Sequence, residues 1–103
     1  MSGAAGRVRI MLHLRPEPGA EAAVEEAYHR ISKDLAGTPG LLGNELLRAL
    51  TDEGAYAVLS EWESMAAFRT WESGAAHRGT TSPLRPHQDP RHPFTLFEVQ
   101  ASY

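Results

Sequence analysis

An α+β fold with one antiparallel sheet and both helices on the same face is what the sequence predicts, and three observations carry it. VRIMLHL places Val8, Ile10, Leu12 and Leu14 on one face and Arg9, Met11 and His13 on the other, the period of two of a strand. Two later stretches repeat apolar residues at helical spacing. Strand-like runs stand between and after them, so the order reads β-α-β-β-α-β.

Each element follows from local chemistry. RPEPG ends the first strand, because proline cannot donate to a ladder and Gly19 permits a turn. From Ala20 to Leu35 the apolar positions are Ala20, Ala23, Val24, Ala27, Ile31 and Leu35, with Glu21, Glu25, Glu26 and Arg30 on the wet side. AGTPG stops that helix. Leu41 to Leu50 and Ala55 to Trp62 read as strands, joined through TDEG, short enough for a hairpin. Ser64 is a good N-cap for a helix to about Ser73, on which Ala67, Phe68 and Trp71 share a stripe. Gly and Pro make the next segment loop-like, with one short helical turn opening at Ser82 and Pro83. FTLFEVQASY, from Phe94, is the closing strand. The plan is ferredoxin-like, over a single domain spanning 1–103, with 1–6 expected to be disordered.

Composition narrows the function. A net charge of -3 leaves no electrostatic footprint for nucleic acid or an anionic membrane. The absence of cysteine removes disulfides, thiolate catalysis and cysteine metal sites. Nothing approaches a signal peptide or a membrane span, so the expected location is cytoplasmic. The sheet keeps apolar residues on both faces, although helices can cover only one. Burying the second face would contribute on the order of 10 kcal/mol at ~25 cal/mol per Å². The simplest cover is a homodimer packed sheet against sheet.

The site residues cluster around EWESMAAFRTWESGAAH. Tyr56, Ser60 and Trp62 share a strand face that meets Phe68 and Trp71, and Ala66, Ala67, Ala75 and Ala76 are small where a full core wants volume. Apolar walls with a few converging polar groups describe a small-molecule site. His77 is the natural general base, and Arg85, His87 and His13 are candidates to hold substrate oxygens. His87, Asp89 and His92 carry metal-type ligands, but on a proline-broken segment that lacks the rigidity a metal site needs, so no metal is assigned. No P-loop, dinucleotide fingerprint or nucleophile elbow is present.

At PGLLG and YAVLSEWESMAAFRTWESGAAH the sequence resembles the antibiotic biosynthesis monooxygenase family in its small dimeric α/β-barrel form. The shared features are P-G-x-x-G entering the second strand, a third strand ending in E-W, S-x-x-A-F on the next helix and a histidine beyond it. Members include oxygenases and cyclases of aromatic polyketide biosynthesis, quinol monooxygenases and heme-degrading enzymes. Trp62 matches the pocket-lining tryptophan of the polyketide oxygenases; the asparagine they carry four residues earlier is Val58 here, and Phe68 stands where some have tyrosine. Trp71 matches a tryptophan of the heme-degrading branch in its spacing from Trp62. The position for that branch's iron-ligating histidine is Thr81, and the first strand has no asparagine.

The resemblance therefore implies a homodimeric monooxygenase that uses O₂, with no bound cofactor, on a polycyclic aromatic polyketide. Trp62, Phe68 and Trp71 would form the slot, His77 would act as base, and Arg85 would hold developing negative charge. An aromatic polyketide cyclase of the same fold is the alternative. A non-catalytic small-molecule-binding accessory protein is the second.

Overall fold

The alternating first stretch forms β1 (Val8–Leu14), which lies inside the sheet, paired on both edges. The structure is a computed structural model that describes residues 6–74, 82–92 and 94–103. After β1 come α1 (Glu21–Leu35), β2 (Leu41–Arg48), β3 (Tyr56–Trp62), α2 (Met65–Glu72), a 3₁₀ helix (Ser82–His87) and β4 (Thr95–Glu98). Strand order is β2-β3-β1-β4, with every pairing antiparallel. This is the ferredoxin-like arrangement the element order predicts.

Register assigns the faces. Val8, Ile10, Leu12 and Leu14 stand opposite Trp62, Ser60, Val58 and Tyr56. Directly paired residues share a face, so these eight form the centre of the helix-covered side. The apolar stripe of α1 (Val24, Ala27, Ile31, Leu35) buries against Leu14 and against Leu84 of the 3₁₀ helix. Phe68 of α2 buries against Val8, Ile10 and Trp62. The Ser64 hydroxyl accepts the Ala67 N–H at 3.1 Å and starts α2 where the sequence predicts. Such a cap is worth about 1 kcal/mol.

Gly40 shows why the turn before β2 is glycine. Its φ is 83°, a left-handed conformation, and a Cβ there would collide with the Cβ of Ala67. Its carbonyl accepts the Glu63 N–H at 2.8 Å, drawing the entry of β2 against the start of α2. A side chain would force these two elements apart.

Three strands are shorter than the sequence suggests, β3 only by Ala55. β2 ends at Arg48 rather than Leu50; the Ala49 N–H still reaches the Ala55 carbonyl at 2.9 Å, and the chain then turns with Leu50 86% exposed. β4 ends at Glu98 because Glu98 already faces Val8, the first residue of β1. One further bond, Val99 N–H to the Arg7 carbonyl at 2.9 Å, closes the ladder. Of the segment expected to be disordered, residues 1–5 lie outside the described residues.

The second sheet face carries Met11 opposite Leu59 and Leu47 opposite Ala57, with Phe97 on β4 49% exposed. Arg7 and Arg9 pair with Glu61 at its edge, at 3.4 and 2.9 Å. No helix of the described chain packs on this apolar centre.

Candidate active site

A cleft of about 190 Å³ opens between α1, α2 and the helix-covered face of the sheet. Its aromatic wall comes from one strand end and one helix. Trp62 closes β3; Phe68 and Trp71, three apart on α2, project to the same side. The Trp62 and Trp71 ring centroids are 5.3 Å apart with planes tilted by 34°, and Phe68 meets Trp62 edge-on at 5.6 Å. The opposite wall is α1, through Tyr28, Ile31, Ser32 and Leu35, one stripe at three- and four-residue spacing. Leu84 and Phe94 complete the rim.

The polar groups are few: Glu72 of α2, and two hydrogen-bonded sets built on Asn44 and Ser60. Asn44 of β2 is the direct partner of Ser60 on β3. The Ser32 hydroxyl donates to Asn44 Oδ1 at 3.1 Å, and the Tyr28 hydroxyl donates to the Asn44 main-chain carbonyl at 3.1 Å. Trp62 Nε1 donates to Ser60 Oγ at 3.1 Å. An apolar slot with one small polar patch is the form of a site for a flat, sparingly oxygenated molecule.

Of the residues singled out from sequence, Ser60, Trp62, Phe68 and Trp71 line this cleft together. Tyr56 shares their sheet face but packs further along, on the cluster around Leu14. His13 lies on the opposite face, its ring 5.6 Å from that of His92. Arg85 is exposed on the 3₁₀ helix, and the carbonyl of His87, at that helix's end, accepts the Arg15 N–H at 2.8 Å. Neither lines the cleft. His77, with Ala75 and Ala76, lies outside the described residues; Trp71 and Glu72 before it and Leu84 after it all line the cleft.

Tyr28, Ser32 and Asn44 were not singled out from sequence. The first two lie on the buried stripe of α1 but are polar, so a reading that follows apolar periodicity passes over them. Asn44 needs the β2–β3 register before its place beside Ser60 becomes visible.

Among the described residues no group of three His, Asp or Glu stands close enough to hold an ion. Asp89 is instead buried, at 6% exposure, in a mesh of cations. Its Oδ1 accepts the Arg91 N–H at 3.0 Å, and the side chains of Arg15, Arg91 and His92 approach at 3.5, 3.6 and 3.8 Å. The Arg91 N–H bond, more than those charges, holds the carboxyl below its usual range against the opposing effect of burial. No described imidazole lines the cleft to ligate a heme iron.

Two helices on one face of a four-stranded antiparallel sheet, with an aromatic-walled cleft beneath them, define a ferredoxin-like α+β protein. Residues 7–81 match the family described as Antibiotic biosynthesis monooxygenase, and the chain belongs to it. Protein SchA of Streptomyces halstedii is 35% identical over 81 residues, covering 79% of this chain and 21% of SchA. The heme oxygenase (mycobilin-producing) of Mycobacterium tuberculosis is 38% identical over 64 residues, covering 59% of this chain and 61% of that one. The chain thus spans about a fifth of SchA and less than two thirds of the heme oxygenase. The structure of SnoaB, a cofactor-independent oxygenase from Streptomyces nogalater, superposes with a TM-score of 0.79 at 22% identity, covering 95% of this chain and 97% of SnoaB. At that identity the likeness is one of fold.

Proposed function

We propose that this protein is a homodimeric, cofactor-independent monooxygenase that oxidises a polycyclic aromatic polyketide intermediate in antibiotic biosynthesis. The observation that carries the reading is the slot walled by Trp62, Phe68 and Trp71, whose indoles stand 5.3 Å apart. Aromatic faces on one side and aliphatic side chains of α1 on the other favour a planar ring system. Family membership supports an oxygenase, and SnoaB, described as cofactor-independent, has the same fold.

The chemistry asks little of the protein. An anthrone-type methylene loses a proton to a base and becomes an electron-rich enolate. That anion gives one electron to O₂, and the resulting radical pair joins to form a carbon–oxygen bond. The peroxide takes up a proton, the second methylene proton leaves, and the O–O bond breaks. One oxygen atom becomes the ring carbonyl and the other departs as water. His77 is the proposed base; a positioned base contributes about 10²–10⁴-fold. Arg85 is exposed and off the cleft, so the group facing the developing negative charge is better sought among the lining residues.

The test is oxygen uptake by purified, chelator-treated protein with an anthrone and no added nicotinamide, flavin or iron. Equal amounts of O₂ consumed and quinone formed, above the uncatalysed rate, support the reading. No uptake with any such substrate, together with cyclisation of a linear poly-β-ketone, would make the protein a cyclase instead.

A further inference from the structure

We infer that Asn44 and Ser60 form a paired hydrogen-bond donor site that selects ligands by a ring-bound oxygen and stabilises that oxygen as an anion. The inference deepens the proposed function, on which its catalytic meaning rests. Its binding content stands on the geometry of the cleft alone.

The argument counts donors and acceptors. Asn44 and Ser60 are direct partners across β2 and β3, on the face that lines the cleft. Their side chains are therefore neighbours, with Cβ atoms about 4.5–5.5 Å apart. Each already accepts one hydrogen bond from a neighbouring side chain. The amide oxygen of Asn44 takes the Ser32 hydroxyl proton at 3.1 Å, which leaves the NH₂ group as the end free to serve a ligand. Ser60 Oγ takes the Trp62 Nε1–H at 3.1 Å, which leaves its own O–H to donate. No other hydrogen bond engages the Asn44 NH₂ or the Ser60 O–H among the described residues. Ser32 and Trp62 thus set the polarity of the patch, and it presents donors to whatever enters.

Around this pair the lining is mostly apolar, through Ile10, Leu12, Ile31 and Val58, and Glu72 of α2 is the one charged side chain among the described lining residues. A ligand oxygen brought here exchanges its water for these two donors, and an ionised oxygen gains most, because charge-assisted bonds are the strong ones. A phenolate or enolate oxygen on a flat ring suits the patch. A ligand edge that only donates does not. In the proposed reaction the same contact would favour the deprotonated substrate before it meets O₂. Asn44 and Ser60 are then residues that touch the substrate, while Ser32 and Trp62 position them.

The test is binding under nitrogen, so that no turnover is needed. The probes are 1-naphthol and naphthalene, flat rings of one size that differ by a single oxygen. Titration calorimetry on the intact protein gives their affinity ratio. The wild type should favour 1-naphthol by about tenfold, as two modest net hydrogen bonds allow. Ser60→Ala and the nearly isosteric Asn44→Asp, which turns donors into acceptors, should each reduce the ratio severalfold. Asn44→Asp should also raise the apparent pKa of bound 1-naphthol, read from its naphtholate absorbance, while Ser32→Ala should weaken the preference less than either. Circular dichroism establishes that each variant is folded, and Ser60→Ala, the least disruptive, is decisive alone if Asn44→Asp is not. Equal affinity of the wild type for the two probes overturns the inference, as does a preference that survives Ser60→Ala. If the preference behaves as described but no anthrone consumes O₂, the oxygenase reading fails and the donor site stands.

Discussion

Trp62 and Trp71 are in ring contact at 5.3 Å, yet Trp62 is only 1% exposed while Trp71 keeps part of its surface open. One is a wall fixed in the core; the other is a wall that faces the cleft. The distinction separates stability from binding. Trp62→Ala should leave a cavity and cost about 3–5 kcal/mol, with the added loss of the bond to Ser60 Oγ. Trp71→Ala should cost clearly less in urea unfolding but weaken binding of a flat aromatic ligand more than any aliphatic truncation on α1. Equal stability losses for the two tryptophans would show that the cleft is ordinary core.

The base is tested by a variant that should leave the fold alone. His77→Ala should lower kcat by about 10²–10⁴-fold and leave the affinity for a flat aromatic ligand nearly unchanged. The defect should shrink as pH rises toward the phenolic pKa of the substrate, because a substrate that ionises by itself no longer needs the protein's base. Full turnover of His77→Ala at neutral pH would place the base elsewhere. His13 lies on the opposite sheet face, so the substrate's own ionisation would then be the next candidate.

Period and turn chemistry made the fold legible. The alternation in VRIMLHL, the stripe from Ala20 to Leu35 and the Ser64 cap all recur as β1, α1 and the start of α2. The aromatic wall was legible too, since Trp62 at a strand end and Trp71 on the next helix are brought together by local chain geometry. What stayed hidden depended on distant partners. Asn44 faces the cleft only because β2 pairs with β3 in one register, and a shift by a single residue would turn it to the other face. Asp89 looks like a metal ligand in HQDPRH, but the main-chain bond from its N–H to the His13 carbonyl at 3.1 Å places it beside Arg15, a residue far away in sequence.

Asp89 yields a prediction with a defined sign. Its pKa is lowered in the folded protein from an ordinary value of 3.8, chiefly by the Arg91 N–H and then by His92, Arg91 and Arg15. A lowered folded value means the carboxylate's contribution to stability is fully present above the ordinary pKa and is lost as pH falls through the folded one. Asp89→Asn keeps the shape and an acceptor for the Arg91 N–H but removes the charge. The variant should melt below wild type at neutral pH, and the gap in Tm should close progressively below pH 3.8. A gap that stays constant into strong acid would mean that the ion pairs around Asp89 contribute nothing.

The proposed dimer makes the uncovered sheet face the most exacting test. Met11 and Leu59 are direct partners at its centre, Leu47 and Ala57 stand beside them, and the charges, Glu45 across from Leu59 on β2 and Arg9 with Glu61, flank them. An apolar centre with a charged edge is the usual anatomy of an interface between subunits. Light scattering at micromolar concentration should therefore give twice the mass of the chain. Leu59→Lys places a cation where two copies would meet, and an unpaired buried charge is among the few single changes that cost several kcal/mol. The variant should run as a monomer or aggregate through its exposed face. Glu25→Lys, on the exposed side of α1 and away from this sheet face, controls for the mere addition of positive charge and should be better tolerated. A wild type that remains monomeric and stable at all concentrations would leave the apolar face wet, and the sheet-against-sheet dimer would have to be abandoned.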